Sequence, residues 1–295
     1  MANLKEVRNR IASVTSTQQI TSAMKMVSAA KLRRAQDAIT QMRPYAQKLK
    51  EILTNLSASV DSSEGGEYSV QREPKKVLVV AITSNRGLAG AFNTNILKLS
   101  RALVHEKYQK QNDAGNVKVI SIGKKASEFF SRNKYSAVSS HNEVYDGLSF
   151  DKIAVIAENI MVAFKRHEFD RVEIVYNRFK NAAVQLPTSE QLLPVLPPEN
   201  DIKGKKANSI DYIFEPNQET IVRELIPKSL KIQLYKAVLD SHAAEHGARM
   251  TAMNKATDNA RDLIKELKLS YNKARQAAIT NEILEIVGGA EALNG

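Results

Sequence analysis

An α/β domain set between two overlong terminal helices, which pair antiparallel as a coiled coil, is the fold this sequence predicts. Three observations predict it. Residues 1–56 place apolar or small side chains at three- and four-residue steps, with no glycine and a single proline. Residues 217–287 repeat the pattern with one glycine, Gly247. Between them the period changes to short continuous apolar runs that alternate with helical stretches, the mark of strands joined by crossovers.

The N-terminal seam reads Leu4, Val7, Ile11, Val14, then Leu32, Ala35, Ile39, Met42, Ala46, Leu49, Leu53 and Leu56. These are heptad positions of the coiled-coil kind. The seam weakens in the middle, where Gln18, Thr21, Lys25 and Ser28 occupy the same register. Pro44 is expected to kink the helix or end it early, because proline removes an intrahelical donor and crowds the preceding turn. At 1.5 Å per residue the segment spans roughly 80 Å, twice the roughly 40 Å width of a compact domain of this size, so it must project. Residues 58–74, rich in Ser, Gly and Glu and ending at Pro74, read as a linker.

In the middle, Val77–Ile82 and Val117–Ile122 suit buried strands, Tyr135–Val138 a weaker one, and Val172–Tyr176 a fourth. Helices are expected near Phe92–Lys107, Lys124–Ser131 and Asp151–Arg166. Such alternation implies right-handed crossovers and a mostly parallel, Rossmann-like sheet. Ala182–Val195, with Pro187 and Pro194, fits an edge hairpin or an extended return. Lys203–Ser209 reads as a second linker. The C-terminal seam is Met253, Ala256, Ala260, Leu263, Leu267, Ala274, Ala277 and Leu284. The expected division is therefore 1–57 helix, 58–74 linker, 75–209 α/β domain and 210–295 helix. Each helix exposes a stripe it cannot bury alone; pairing the two ends covers both, and the domain then sits beside the rod as a collar.

Composition narrows the function. The 295 residues contain no cysteine, which excludes disulfides and thiolate metal sites. No apolar window is long enough to cross a bilayer and no signal peptide is evident, so the expectation is a protein that is not inserted in a membrane. The net charge of +11 calls for an acidic partner. Ten of the basic residues lie in 1–56 against three acidic ones, whereas 216–295 is nearly neutral, so that partner is expected at the N-terminal helix.

Both ends resemble the gamma subunit of F-type ATP synthases, through "ANLKEVRNRIASVTSTQQITSAMKMVSAAKLRRAQ" (2–36) and "EHGARMTAMNKATDNARDLIKELKLSYNKARQAAITNEILEIVGGAEAL" (245–293), with "AITSNRGLAGAFN" (81–93) between. The resemblance implies a shaft that rotates inside a hexamer of alternating alpha and beta subunits. It implies seating on the membrane c-ring with the epsilon subunit, and beta sites driven through open, loose and tight states by proton flow. It implies that Arg275 and Gln276 hydrogen-bond an acidic loop of beta, for which a guanidinium and a carboxamide are suited donors. Met24 and Lys25 fall where the family's shaft faces the acidic lever loop of beta, and Ile279, Ile283, Ile286 and Val287 resemble the tip held in a hydrophobic bearing. The chain is thereby expected to be non-catalytic, to hold no cofactor or metal, and to lie peripherally on the cytoplasmic face of a bacterial plasma membrane. Ala89 stands where many relatives have cysteine, and the plastid relatives' paired-cysteine insert is absent.

Competing readings are weighed against this one. The turn "VLVVAITSNRGLAGAFN" lacks both the Lys-Ser/Thr ending of a P-loop and the dinucleotide spacing, so a structural turn is favoured over a nucleotide site. His242 and His246 have metal-compatible spacing around Glu245 but no third ligand, which favours a surface or seam role. An enzyme would need acid–base groups clustered at strand ends, and none is evident. A coiled-coil nucleic-acid binder, with Lys31, Arg33 and Arg34 as contacts, is permitted by charge alone.

Overall fold

The computed structural model describes residues 4–59, 68–195 and 218–294. The expected linker at Lys203–Ser209 and residues 60–67 of that at 58–74 lie outside the described residues. The chain divides into two compact units, residues 30–248 and residues 1–29 with 249–295. Two helices contribute to both: α1 (Leu4–Ser59) and α6 (Gln218–Asn294).

The larger unit is built on a five-stranded sheet of order β3-β2-β1-β4-β5. Its strands are β1 (Val77–Ile82), β2 (Val117–Ile122), β3 (Ser136–Ser140), β4 (Arg171–Phe179) and β5 (Gln185–Leu193). β1 pairs in parallel with β2 and β4, and β2 with β3; β5 returns antiparallel to β4 as the edge. Pro187 is tolerated there because an edge strand needs donors on one side only. All six residues of β1 are buried, as expected of a central strand covered on both faces. α5 (Phe150–Lys165) and the start of α6 cover one face, where Leu78, Val80 and Ile174 meet Ile153, Ile160, Leu230 and Leu234. On the other face Ile96 of α2 (Phe92–Ala102) packs with Val77, Val79 and Val175, and Phe130 of α4 (Lys124–Arg132) packs with Ala81 and Val119.

One expectation fails here and another is narrowed, each for an identifiable reason. The helix expected to run through Lys107 widens into a π turn at Leu103–Lys107, followed by a short α3 (Gln109–Asp113). The wider turn lets Val104 and Tyr108 both be buried against the sheet. It also brings the Tyr108 hydroxyl and the Lys107 ammonium to the buried Glu173 carboxylate in β4, each at 2.6 Å. That burial holds the Tyr108 phenol above its ordinary pKa, with the carboxylate adding to the effect. Pro44 does not end α1, which continues to Ser59. Pro44 is exposed, so the carbonyl freed by its missing N–H faces water.

Gly247 of α6 shows why a helix of this length carries a glycine there. A Cβ would stand 3.1 Å from the Ala182 Cα and 3.2 Å from its carbonyl oxygen, both on the loop between β4 and β5. A side chain there would force helix and loop backbones apart by a few tenths of an ångström, which glycine avoids.

In the smaller unit the first part of α1 and the second part of α6 run antiparallel, since partners on α6 fall in number as those on α1 rise. Arg8 meets the Tyr271 hydroxyl at 2.8 Å, Thr21 meets Thr257 at 2.8 Å, and Lys25 meets Asn254 at 2.6 Å. Val7, Thr21 and Ser28 are buried on one helix, and Met253, Thr257 and Ala260 on the other. The stretch that sequence pattern marks as weak is therefore buried as well. Its hydroxyls satisfy one another and the preceding turn: Thr257 bonds the Met253 carbonyl at 2.8 Å and Ser28 the Met24 carbonyl at 2.7 Å. The expected C-terminal seam is corrected at its end, because Ala277 and Leu284 are exposed. Arg8 already reaches Tyr271, so α6 past Ala274 has outrun its described partner.

Candidate functional site

The residues expected to contact beta or the bearing all fall in the smaller unit, in two places; Lys31, Arg33, Arg34, His242 and His246 belong to the larger one. Met24 and Lys25 sit on the paired stretch. Met24 is half-buried and its carbonyl is taken by Ser28. Lys25 is exposed but engaged: its ammonium donates to Asn254, whose amide donates to Asp258 at 3.1 Å, and Asp258 also receives Arg261 at 3.1 Å. This chain of polar groups crosses the helix pair beside the Thr21–Thr257 contact, so Lys25 is held in one orientation on the surface.

Arg275, Gln276, Ile279, Ile283, Ile286 and Val287 lie on the unpaired extension of α6, and every described side chain from Arg275 to Ala290 is exposed. Ile279 is 48% exposed, Ile283 55% and Ile286 66%. Arg275, Ile279, Ile283 and Ile286 recur at three- and four-residue steps, which puts a cation at the head of one apolar stripe. Leu284, expected in the seam, joins the exposed apolar surface instead. The Arg275 guanidinium has no hydrogen-bond or ion-pair partner among the described residues. A projecting helix with this many solvated isoleucines is a surface made for a partner.

The structure also places groups that sequence reasoning missed. Arg8 caps the seam by its hydrogen bond to Tyr271 and lies 5.7 Å from that ring's centroid. Asp258 organises Asn254 and Arg261. Arg8 acts across positions far apart in the chain, so no local pattern announces it, whereas Asp258 works through the three- and four-residue spacing of α6.

The other candidates resolve differently. Ligands of open α/β sheets bind beyond the carboxyl ends of the strands. Here that end is filled by the chain itself. Asn93 takes the Ser84 N–H at 3.0 Å, Asn85 takes the Lys124 N–H at 2.9 Å, and the Thr83 hydroxyl takes the Ala126 N–H at 2.9 Å. Ala244 and Ala248 of α6 pack on Ala89 and Phe92 of the glycine turn. Backbone donors that would cradle a phosphate are already used. His242 and His246 approach at 3.1 Å between their Nε2 atoms; His246 is buried and His242 stacks on Tyr145. Among the described residues no group of three or more His, Asp or Glu side chains is arranged to hold a metal ion. Nor is any described helix long and apolar enough to cross a membrane.

Comparison with known proteins agrees on one family. A family model described as ATP synthase matches residues 3–293. The ATP synthase gamma chain of Flavobacterium psychrophilum is 60% identical, and that of Flavobacterium johnsoniae 59% identical, each covering 100% of both chains. Among solved structures, a chain of the Euglena gracilis mitochondrial ATP synthase, described as OSCP/F1/c-ring in rotational state 3, aligns with a TM-score of 0.71 at 26% identity, over 98% of this chain and 94% of that one. With paired terminal helices, a mostly parallel sheet and full-length relatives at this identity, the chain belongs to the ATP synthase gamma chain family.

Proposed function

We propose that the chain is the rotating shaft of a bacterial ATP synthase and carries no catalytic site of its own. In this reading it couples proton flow through a membrane c-ring to conformational change in the beta subunits of an alpha/beta hexamer. It lies peripherally on the cytoplasmic face of the plasma membrane, with the epsilon subunit beside it. The observation that carries the proposal is the smaller unit: two helices locked antiparallel by a buried seam, from which α6 extends alone with its apolar stripe in solvent. Torque needs such a stiff pair, and a bearing needs such a tip. The strand ends that would serve an enzyme are packed by α6, which supports a mechanical role. The +11 charge is met, in this reading, by acidic inner faces of the hexamer. The nucleic-acid alternative finds no support among the relatives.

Arg275 and Gln276 are assigned to an acidic loop of beta, Met24 and Lys25 to its lever loop, and Ile279, Ile283, Ile286 and Val287 to the bearing. The test is Arg275→Ala in the assembled enzyme. ATP synthesis is expected to fall several-fold, while thermal unfolding of the chain stays within about 0.5 kcal/mol, the range for an exposed site without intramolecular partners. Undiminished synthesis in that variant would remove the assignment.

A further inference from the structure

A groove of about 1260 Å³ runs on the larger unit along α2 and the π turn that continues it, beside the end of α4. It exceeds the roughly 300–1,000 Å³ of small-molecule sites. It lies at the start of β2 and β3, away from the strand ends where an α/β domain keeps its ligands. Val117, Leu97, Phe129 and Tyr135 supply apolar surface, and Lys98, Arg101 and Lys134 supply cations. All three cations are exposed and none has an ion-pair partner among the described residues. Glu106 is the one carboxylate in the lining.

We infer that this groove docks an acidic peptide segment of a partner protein, with apolar side chains between its carboxylates. Lys98 and Arg101 are three apart on α2 and so share a face, while Lys134 follows the end of α4. Cations held on two separate elements around apolar surface suit carboxylates spaced along a chain rather than one compact anion. A phosphate would want convergent N–H groups at a helix N-terminus. The lining instead follows one face of α2 and the π turn that continues it, together with the end of α4 and the turn after it. The inference does not depend on the shaft assignment, since it concerns residues that assignment leaves unused.

The experiment titrates the full-length chain with a fluorescein-labelled nonapeptide, Glu-Glu-Phe repeated three times, followed by anisotropy in low salt. Saturable binding is expected with a Kd on the order of tens of micromolar. The double variant Lys98→Glu, Lys134→Glu should weaken it at least tenfold, with amide exchange of β2 unchanged to show that the fold is kept. Lys180→Glu, at an exposed lysine outside the groove, should leave it within twofold. Absence of saturable binding overturns the inference, as does equal loss with Lys180→Glu, which would mean general charge attraction. Displacement by tripolyphosphate at concentrations equal to the peptide's would make this a compact-anion site, and tighter binding of a thymidine oligonucleotide would make it a nucleic-acid surface; either result also overturns it.

Discussion

Met253→Asp is expected to separate the two helices of the smaller unit while leaving the five-stranded sheet folded. Met253 is 4% exposed in the seam. Truncating a buried methionine costs about 2–5 kcal/mol, and burying an unpaired carboxylate in its place adds to that. Amide exchange should show loss of protection along residues 4–29 and 253–271, with β1 and β4 still protected. In the assembled enzyme, gradient-driven ATP synthesis should fall by at least tenfold, because a shaft whose strands part cannot carry torque. Met253→Leu, which conserves volume, should cost less than about 1.5 kcal/mol and leave synthesis intact. Retained protection in the Asp variant would show that the seam is not what joins these helices.

A second large effect should come from Asp240→Asn, in the larger unit. Asp240 of α6 is 4% exposed, and its pKa is pushed up to about 6. Burial is the main cause. Lys236, Arg43 and Arg178 pull it back down, and Glu190, which accepts the Tyr176 hydroxyl at 2.7 Å, pushes it up further. The folded pKa lies above the unfolded one, so the folded state favours the neutral acid. Stability from this group is complete below about pH 4 and is lost as the pH rises through 6. A shift of about two units corresponds to a cost near 3 kcal/mol at neutral pH. Asn cannot ionise, so the variant should be more stable than the natural chain by about 1–3 kcal/mol at pH 7.5 and no more stable at pH 4, by denaturant titration at each pH. A gain of equal size at both values would show that ionisation is not its source.

How much of this was legible in the sequence varied with how local the cause was. β1 is read to the residue because it is buried on both faces and writes itself as a continuous apolar run; β2 is read as well, through Val117, Val119, Ile120 and Ile122, although Lys118 is exposed. β4 is longer than its apolar stretch, since its far end adds a buried polar residue, Asn177, and then Arg178 and Phe179 held by pairing with β5. The π turn could not be foreseen, because it exists to bring Tyr108 and Lys107 to Glu173, some sixty-five residues later. Pro44 left a kink and an early end both open because a proline's cost depends on whether the carbonyl it frees is solvated, which is a tertiary fact; the early end does not occur. Thr21 and Ser28 looked like gaps in a hydrophobic repeat. They are members of it, because each hydroxyl finds a partner only once the helices or the preceding turn are in place. The α6 extension was read as helix throughout, but its change from seam to exposed stripe near Ala274 follows from where α1 begins. Arg275 and Gln276 carry no physical signal of their own in the sequence. Only resemblance picks them out, and the structure adds that they are solvated.

The measurement that tests the shaft most directly is a staple across the seam. Thr21 and Thr257 touch through their hydroxyl oxygens at 2.8 Å, and the chain has no cysteine, so Thr21→Cys with Thr257→Cys gives one defined thiol pair. If the two helices turn as a single body, the disulfide should form readily in the assembled enzyme, and oxidised and reduced enzyme should make ATP at the same rate. Synthesis that stops on oxidation and returns on reduction would mean that the helices must slide or part during the cycle, and the paired-helix shaft would be the wrong description of how this chain works.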